Sequence, residues 1–380
     1  MIYLDNAATS AQKPQAVYRA MWDMMTQNGA SPGRGGYKSA LRAAETVYEA
    51  REKLADFFHA EDPARIIFTQ NTTHALNLAI CGYLSYGAHV IYSSMEHNSV
   101  VRPIKTLEKQ RRISSSVLKA DENGTWNPNA LPSLIRPNTR LICLTHSSNV
   151  CGAISDIYAA ADVAKKHGVR ILIDAAQSAG TLPIDASKFD FVAFPGHKGL
   201  LGPAGTGGLY MGKDIELSPL ITGGTGSMSE SLLQPEILPD RYESGTQNAP
   251  AIAGLSAALS FLSEVGIDTV RKHEEALRKK FDEAMQSIPD VTLYGNPNKT
   301  AISAINICGL DANTAAELLD TRYGICVRSG LHCAPLAHKT LGTAGTGAIR
   351  FSFGLFNTER EISRAIDAVY ALSREFVNKP

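Results

Sequence analysis

From residue 65 to residue 194, short apolar runs alternate with segments of helical periodicity, and few folds accommodate that alternation. The runs cover 65–69, 89–93, 140–145, 169–173 and 189–194, each rich in β-branched or aromatic side chains and too short for a helix. Helices are expected over 14–27, 39–59, 73–84 and 158–167. Apolar strands separated by helices belong to a largely parallel sheet covered by helices on both faces. Beyond the turn-rich stretches 223–226 and 242–250, the periodicity predicts one long helix over 251–286, strands at 300–307 and 348–353, and a closing helix over 359–377. A chain of 380 residues can bury two cores. The expectation is an α/β protein with a large domain over 15–254 and a small α/β domain made of 1–14 and 255–380, the boundary lying near Gly254.

In open α/β sheets, ligands bind beyond the carboxyl ends of the strands. Those ends are polar here. Asp174 closes the 169–173 run, and Lys198 follows it by 24 residues, within Phe194-Pro195-Gly196-His197-Lys198-Gly199. Pyridoxal phosphate chemistry needs such a pair: a lysine amine that condenses with the aldehyde, and a buried carboxylate that keeps the pyridine nitrogen protonated. A surface lysine and a strand-end aspartate are the plain alternative, and the other strand ends weigh against it. Thr72 and Thr73 open a helix whose free amides and hydroxyls suit a phosphate, or serve as an ordinary cap. His97 follows the 89–93 run, where an imidazole can stack on a planar cofactor. Asn149 lies in the polar turn after the 140–145 run, within reach of a cofactor oxygen or a substrate carboxylate, and Gln177 follows Asp174, where its amide can meet a phenolic oxygen. Five strand ends would meet in one crevice.

Composition narrows the ligand. Lys plus Arg and Asp plus Glu number 37 each, so no net charge points to nucleic acid or an anionic membrane, and a small molecule is expected. The six cysteines show neither paired zinc spacing nor a dense disulfide framework, so no metal site is expected and the thiols read as reduced in a cytoplasmic protein. Neither a basic start with an apolar segment behind it nor a bilayer-length apolar stretch is present.

Four segments carry a resemblance: Tyr3-Leu4-Asp5-Asn6-Ala7-Ala8-Thr9, the run around Lys198, Arg328-Ser329-Gly330-Leu331-His332-Cys333-Ala334, and Arg350-Phe351-Ser352-Phe353. Together the chain resembles the cysteine desulfurases, in the class V branch of the fold-type-I pyridoxal phosphate enzymes, over essentially its whole length. The resemblance implies a mainly parallel seven-stranded sheet. It implies that Lys198 forms the Schiff base, His97 stacks on the ring and shuttles a proton, and Asp174 pairs with the pyridine nitrogen. It also implies that Gln177 meets the phenolic oxygen and that Thr73 and His197 bind phosphate. Thr246, in Tyr242-Glu243-Ser244-Gly245-Thr246-Gln247-Asn248, would reach the phosphate of a second subunit, so a homodimer with shared active sites is implied.

By the same resemblance, Cys333 attacks the sulfur of L-cysteine or L-selenocysteine, keeps it as a persulfide and leaves alanine. Arg328 and His332 beside it would favour the thiolate, which is the nucleophilic form. Cys81, Cys143 and Cys308 read as small buried apolar side chains, and Cys326 is the main decoy. Arg350 would hold the substrate carboxylate through two parallel hydrogen bonds, with Asn149 and Arg328 assisting; a structural salt bridge is its alternative. The 17 residues from Cys333 to Arg350 resemble the short-loop desulfurases and selenocysteine lyases, which implies a separate sulfur-acceptor protein. Sulfinate removal, transamination, epimerisation or a silent cofactor-binding scaffold are the alternatives. Two departures stand out. Pro195 replaces a Ser or Thr that often donates to the phosphate, and 31–37 lacks the histidine often found before Arg34.

Overall fold

A computed structural model describes residues 1–33 and 35–377, so Arg34 of the glycine-rich segment lies outside the described residues. In chain order the elements are β1 (Ile2–Tyr3), α1 (Gln15–Gln27), α2 (Lys38–Phe58), β2 (Ile66–Thr69), α3 (Thr72–Tyr83), β3 (Ala88–Ser93), α4 (Asn98–Lys109), β4 (Ile113–Leu118) and β5 (Thr139–Thr145). Then follow α5 (Ile157–Lys166), β6 (Arg170–Asp174), β7 (Phe191–Pro195), β8 (Gly207–Met211), α6 (Ala249–Val265) and α7 (Ile267–Gln286). The chain ends through β9 (Val291–Tyr294), β10 (Ile302–Ile307), α8 (Ala312–Tyr323), β11 (Ile325–Cys326), β12 (Arg328–Gly330), α9 (Pro335–Thr340), β13 (Ala348–Ser352) and α10 (Glu359–Val377).

Strand residues alternate between two cores because successive side chains point to opposite faces of a sheet. Ile91, Ile142, Ile171 and Val192 enter one core, and Val90, Leu141, Leu172 and Phe191 the other. Both faces are therefore dry, which explains why the strands read as continuous apolar runs. The seven strands stand in the order β2-β8-β7-β6-β5-β3-β4. β8 is antiparallel to both its neighbours, while the pairs β7–β6, β6–β5, β5–β3 and β3–β4 are parallel. The expected α/β class and mainly parallel sheet are both present. Between β3 and β5 the strand order reverses, and the crevice at that end of the sheet receives every strand end singled out above.

A second, antiparallel sheet in the order β12-β13-β10-β9 has its own core, with Leu277, Phe281, Ile305, Phe351 and Ile362. β1 pairs in parallel with β11, which ties the first residues to this region. Gly254 lies inside α6, whose Leu255, Ala258, Leu259 and Leu262 pack with the large sheet.

Three features depart from expectation. The helix expected over 251–286 is two helices, α6 and α7, bent by 81° at Gly266, whose φ of +82° suits glycine. β4 reads Ile-Ser-Ser-Ser-Val-Leu and sits at the sheet edge, so it lacks the apolar signature of a central strand. β8 opens Gly207-Gly208, and a Cβ on Gly208 would lie 2.4 Å from the Phe194 ring, so close packing demands residues with low strand propensity. Among the described residues no single helix is long and apolar enough to cross a membrane.

Candidate active site

Each strand end delivers one part of the crevice. After β2, α3 starts at Thr72, capped by the Asn71 side chain, which accepts from His74 N–H at 2.9 Å. Thr72, Thr73, His97, Asn149, Asp174, Gln177, His197 and Lys198 all line one cavity, as the strand ends led us to expect. The cap is Asn71, which leaves the Thr72 and Thr73 hydroxyls free of that duty.

His97 is the residue before α4, and its Nδ1 accepts Ser99 N–H at 3.1 Å, with Ser99 Oγ 2.9 Å away. A backbone N–H only donates, so Nδ1 is the acceptor and the neutral ring carries its hydrogen on Nε2. Burial, followed by the charges of Lys198, Arg328, Arg102 and Arg350, pushes His97 down to about 4. Ser99 Oγ also lies 2.8 Å from Thr73 Oγ1. Neighbouring Glu96 is fully buried; its Oε1 accepts Ser93 Oγ at 2.5 Å and Thr145 N–H at 2.8 Å, joining the ends of β3 and β5. Burial raises this carboxyl to about 8.

Asp174 ends β6 almost wholly buried, and Ala176 N–H donates to its Oδ1 at 2.9 Å. Burial raises its pKa, and the Ala176 amide and the Lys198 charge only partly offset this. Gln177 Nε2 donates to Ala7 O at 3.0 Å, so that amide hydrogen is engaged by the N-terminal segment. Lys198 follows β7; burial, then the Arg350 charge, holds its amine at about 8, against the pull of Asp174. His197 has a buried Nδ1 with no partner among the described residues, and burial followed by the charges of Lys198 and Lys13 lowers its pKa to about 4.

Arg350 and Cys333 come from the small sheet. Arg350 is buried; its Nη1 donates to Asn149 O at 2.8 Å and its Nη2 to Asp5 Oδ1 at 2.7 Å, while Nε has no partner among the described residues. The salt-bridge alternative for Arg350 thus exists in fact, with Asp5. Arg328 faces Arg350 across the β12–β13 ladder, and its Nη2 stands 3.8 Å from Cys333 Sγ. Cys333 is exposed and lines a groove together with Thr73, His97 and Ser99, which also line the Lys198 cavity. Thr246 is exposed and does not line that cavity within its own chain. Of the other thiols, Cys143 is buried and Cys81 half-buried, but Cys308 is exposed, contrary to the apolar reading, because it sits in the turn that closes β10. Cys326, on β11, has its Sγ 3.9 Å from Asp320 Oδ1 of α8 and lies outside the cavity. Ser99, Glu96 and Asp5 escaped sequence reasoning. Asp5 belongs to the 3–9 segment and Ser99 stands two residues after His97, yet nothing in one dimension pairs Asp5 with a residue 345 positions away.

The profile of the aminotransferase class-V family matches residues 2–365. A probable cysteine desulfurase of Methanothermobacter thermautotrophicus is 38% identical, covering 95% of this chain and 92% of its own. A cysteine desulfurase of Pectobacterium atrosepticum is 32% identical over 98% and 93%. The apo structure of a cysteine desulfurase from Thermococcus onnurineus superposes with a TM-score of 0.92 at 31% identity, covering 98% of this chain and 95% of that one. The chain belongs to the class-V aminotransferase family, and within it to the cysteine desulfurases.

This family implies pyridoxal phosphate, and the residues present fit it. Asp174 is a buried carboxyl whose raised pKa is only partly offset by the Lys198 charge, and a protonated pyridine ring would complete that offset. The α3 N-terminus and the unpartnered His197 Nδ1 suit a phosphate, and Lys198 supplies the amine.

Proposed function

We propose that the protein takes the sulfur of L-cysteine onto Cys333 as a persulfide and releases L-alanine. One observation carries this most: an exposed thiol, 3.8 Å from the Arg328 guanidinium, in a groove that shares Thr73, His97 and Ser99 with the Lys198 cavity. Thr72, Thr73 and His197 would hold the cofactor phosphate, Asp174 the pyridine nitrogen, Gln177 the phenolic oxygen and His97 the ring face. When bound, pyridoxal phosphate supplies an electron sink that acidifies the substrate α-hydrogen and loosens the bond from the β-carbon to sulfur.

The chain's own groups do the rest. Lys198, held at about 8, keeps a usable neutral fraction near pH 7, so its Nζ can yield to the substrate amine and then take the α-proton. Arg350 binds the substrate carboxylate in competition with Asp5, and Asn149 fixes the guanidinium through its carbonyl. Arg328 adds a second positive charge one strand away. His97, with Nδ1 already accepting from Ser99, has its hydrogen on Nε2 and acts there as a donor rather than a proton collector. The Cys333 thiolate attacks the substrate sulfur. A sulfur–sulfur bond forms, the carbon–sulfur bond breaks, and the carbon fragment keeps the electron pair, takes up a proton and leaves as alanine.

A homodimer belongs to the same proposal. Leu220, Ile221, Met228, Leu232, Leu233 and Ile237, in the segment leading to Thr246, are all exposed, and such an apolar run suits a second copy whose cavity Thr246 completes. Leu232→Asp with Leu233→Asp should give a monomer by light scattering and weaken cofactor retention; a retained dimer would count against this surface. A separate sulfur-acceptor protein and a cytoplasmic setting are proposed with it. The division into 15–254 and 1–14 with 255–380 is also a proposal, supported by the separate cores of the two sheets. The deciding assay measures sulfide and alanine from L-cysteine, with reductant, for wild type and Cys333→Ala. Equal yields of both products from wild type only are expected. Unchanged sulfide release by Cys333→Ala would remove Cys333 from the reaction, and release only from L-selenocysteine would reassign the substrate.

A further inference from the structure

The turn that carries Cys333 is held in an uncommon conformation. His332 and Cys333 both have positive φ, +48° and +56°, which side-chain-bearing residues seldom adopt. Such a turn persists only where its surroundings over-determine it. Two supports come from the large sheet: Asn149 Nδ2 donates to His332 O at 2.7 Å, and Asn98 N–H to Cys333 O at 2.7 Å.

A third support is internal. His332 Nδ1 lies 3.1 Å from His338 Nε2, His338 Nδ1 lies 2.7 Å from Thr343 Oγ1, and His332 Nε2 lies 3.3 Å from the Arg328 carbonyl. His332, His338 and Thr343 are buried, and the bond to the Arg328 carbonyl is partly so. The carbonyl decides the direction. It can only accept, so His332 carries its hydrogen on Nε2 and leaves Nδ1 bare. His338 must then donate from Nε2, which leaves its own Nδ1 to accept the Thr343 hydroxyl. Both rings are neutral in this arrangement, in keeping with burial, which lowers His332 to about 3 and His338 below its ordinary value.

We propose that His338 is a positioning residue for Cys333, acting through a one-way hydrogen-bond chain from the Thr343 hydroxyl, through two neutral imidazoles, to the Arg328 backbone. The chain closes the 328–343 loop on itself. It fixes the Arg328 carbonyl and the His332 ring, and with them the residue whose Nη2 lies on Cys333 Sγ and the turn that aims the thiol. Without the His338 ring, His332 Nδ1 loses its donor and the Thr343 hydroxyl keeps only the longer bond, 3.5 Å, to the backbone carbonyl at position 338, so the His332 ring is free to turn over. Sulfur attack needs a thiol aligned to within a fraction of an ångström, so a loosened turn slows it, while Arg350, held by Asn149 and Asp5 outside this hydrogen-bond chain, still takes the substrate carboxylate. The inference rests on Cys333 being the nucleophile proposed above.

The test uses the cofactor-loaded full chain with His338→Leu, His338→Gln and Thr343→Val. His338→Leu should lower kcat for sulfide release from L-cysteine about tenfold or more and leave KM within about twofold. His338→Gln, whose amide can still donate to His332, should recover most of the rate, and Thr343→Val should lose about threefold. A second readout is iodoacetamide labelling followed by peptide mass, taking the ratio of Cys333 to exposed Cys308 within one sample. That ratio should fall about threefold or more in His338→Leu and return in His338→Gln. The proposal is overturned if His338→Leu keeps both kcat and the ratio within about twofold of wild type. It is equally overturned if glutamine is as damaging as leucine, or if Cys333 and Cys308 labelling change in parallel. Should His338→Leu fail to fold, Thr343→Val decides, and no change in its ratio overturns the proposal. If wild type yields no sulfide while the labelling ratio still follows the leucine–glutamine pattern, the assigned reaction fails and the positioning role stands.

Discussion

Burial, and after it the positive charge of Arg350, holds the Lys198 amine at about 8 in place of an ordinary 10.5. At pH 7 a group at about 8 is neutral in about one molecule in eleven, whereas at 10.5 the fraction is about one in three thousand, a ratio of roughly 300. Only the neutral amine attacks an aldehyde. Uptake of pyridoxal phosphate by the apoprotein should therefore rise with pH and level off above about 8, not climb on toward 10.5. Arg350→Met perturbs this in a known direction. It removes a charge that disfavours the ammonium and frees Asp5, which favours it, so the midpoint should move upward, by less than the full distance back to 10.5 because burial remains. The assay follows the yellow band as cofactor is mixed with apoprotein across pH, corrected by the same titration with butylamine. A wild-type midpoint near 10.5, or a downward shift in Arg350→Met, would refute the electrostatic account.

Three further outcomes are expected. Glu243 accepts from both Arg51 nitrogens, at 2.7 and 2.8 Å, and from Phe68 N–H at 2.6 Å, with both side chains of the ion pair buried. Glu243→Ala should cost about 3–5 kcal/mol in chemical denaturation and Glu243→Gln only about 1–3; equal losses would mean the charge itself is not what matters. Gly180 has φ +89°, and a Cβ there would lie 2.2 Å from Gly199 O, next to Lys198. Gly180→Ala should lose cofactor binding, while Gly168→Ala, at φ +66° with open space around it, should cost about 1 kcal/mol and bind normally; normal loading of the first variant would contradict the packing. His97 sits at about 4, so its nitrogen NMR shifts should stay those of a neutral ring with bare Nδ1 between about pH 5.5 and 8, and a protonation step there would show that Ser99 does not hold the tautomer.

Most of the large sheet was legible because its central strands are dry on both faces and helices keep their own period. β4 and β8 were not, since an edge strand tolerates Ser-Ser-Ser and a tightly packed one needs Gly207 and Gly208. The bend between α6 and α7 hid because one glycine in a long periodic segment carries little weight, although its φ of +82° ends the helix. Cys308 read as a core thiol because exposure is not a local property of cysteine.

By itself the sequence determined which chemical groups stand at the strand ends, since strand periodicity and chain order place Thr72, His97, Asn149, Asp174 and Lys198 at one end of one sheet. Tertiary structure alone decided their states. Arg350 is bound to Asp5 from the far end of the chain, His97 bears its hydrogen on Nε2 because Ser99 N–H occupies Nδ1, and Lys198 is lowered to about 8 by burial. The physical reason is range: side-chain period and turn chemistry act between near neighbours in sequence, whereas desolvation and charge act through space on whatever the fold brings close.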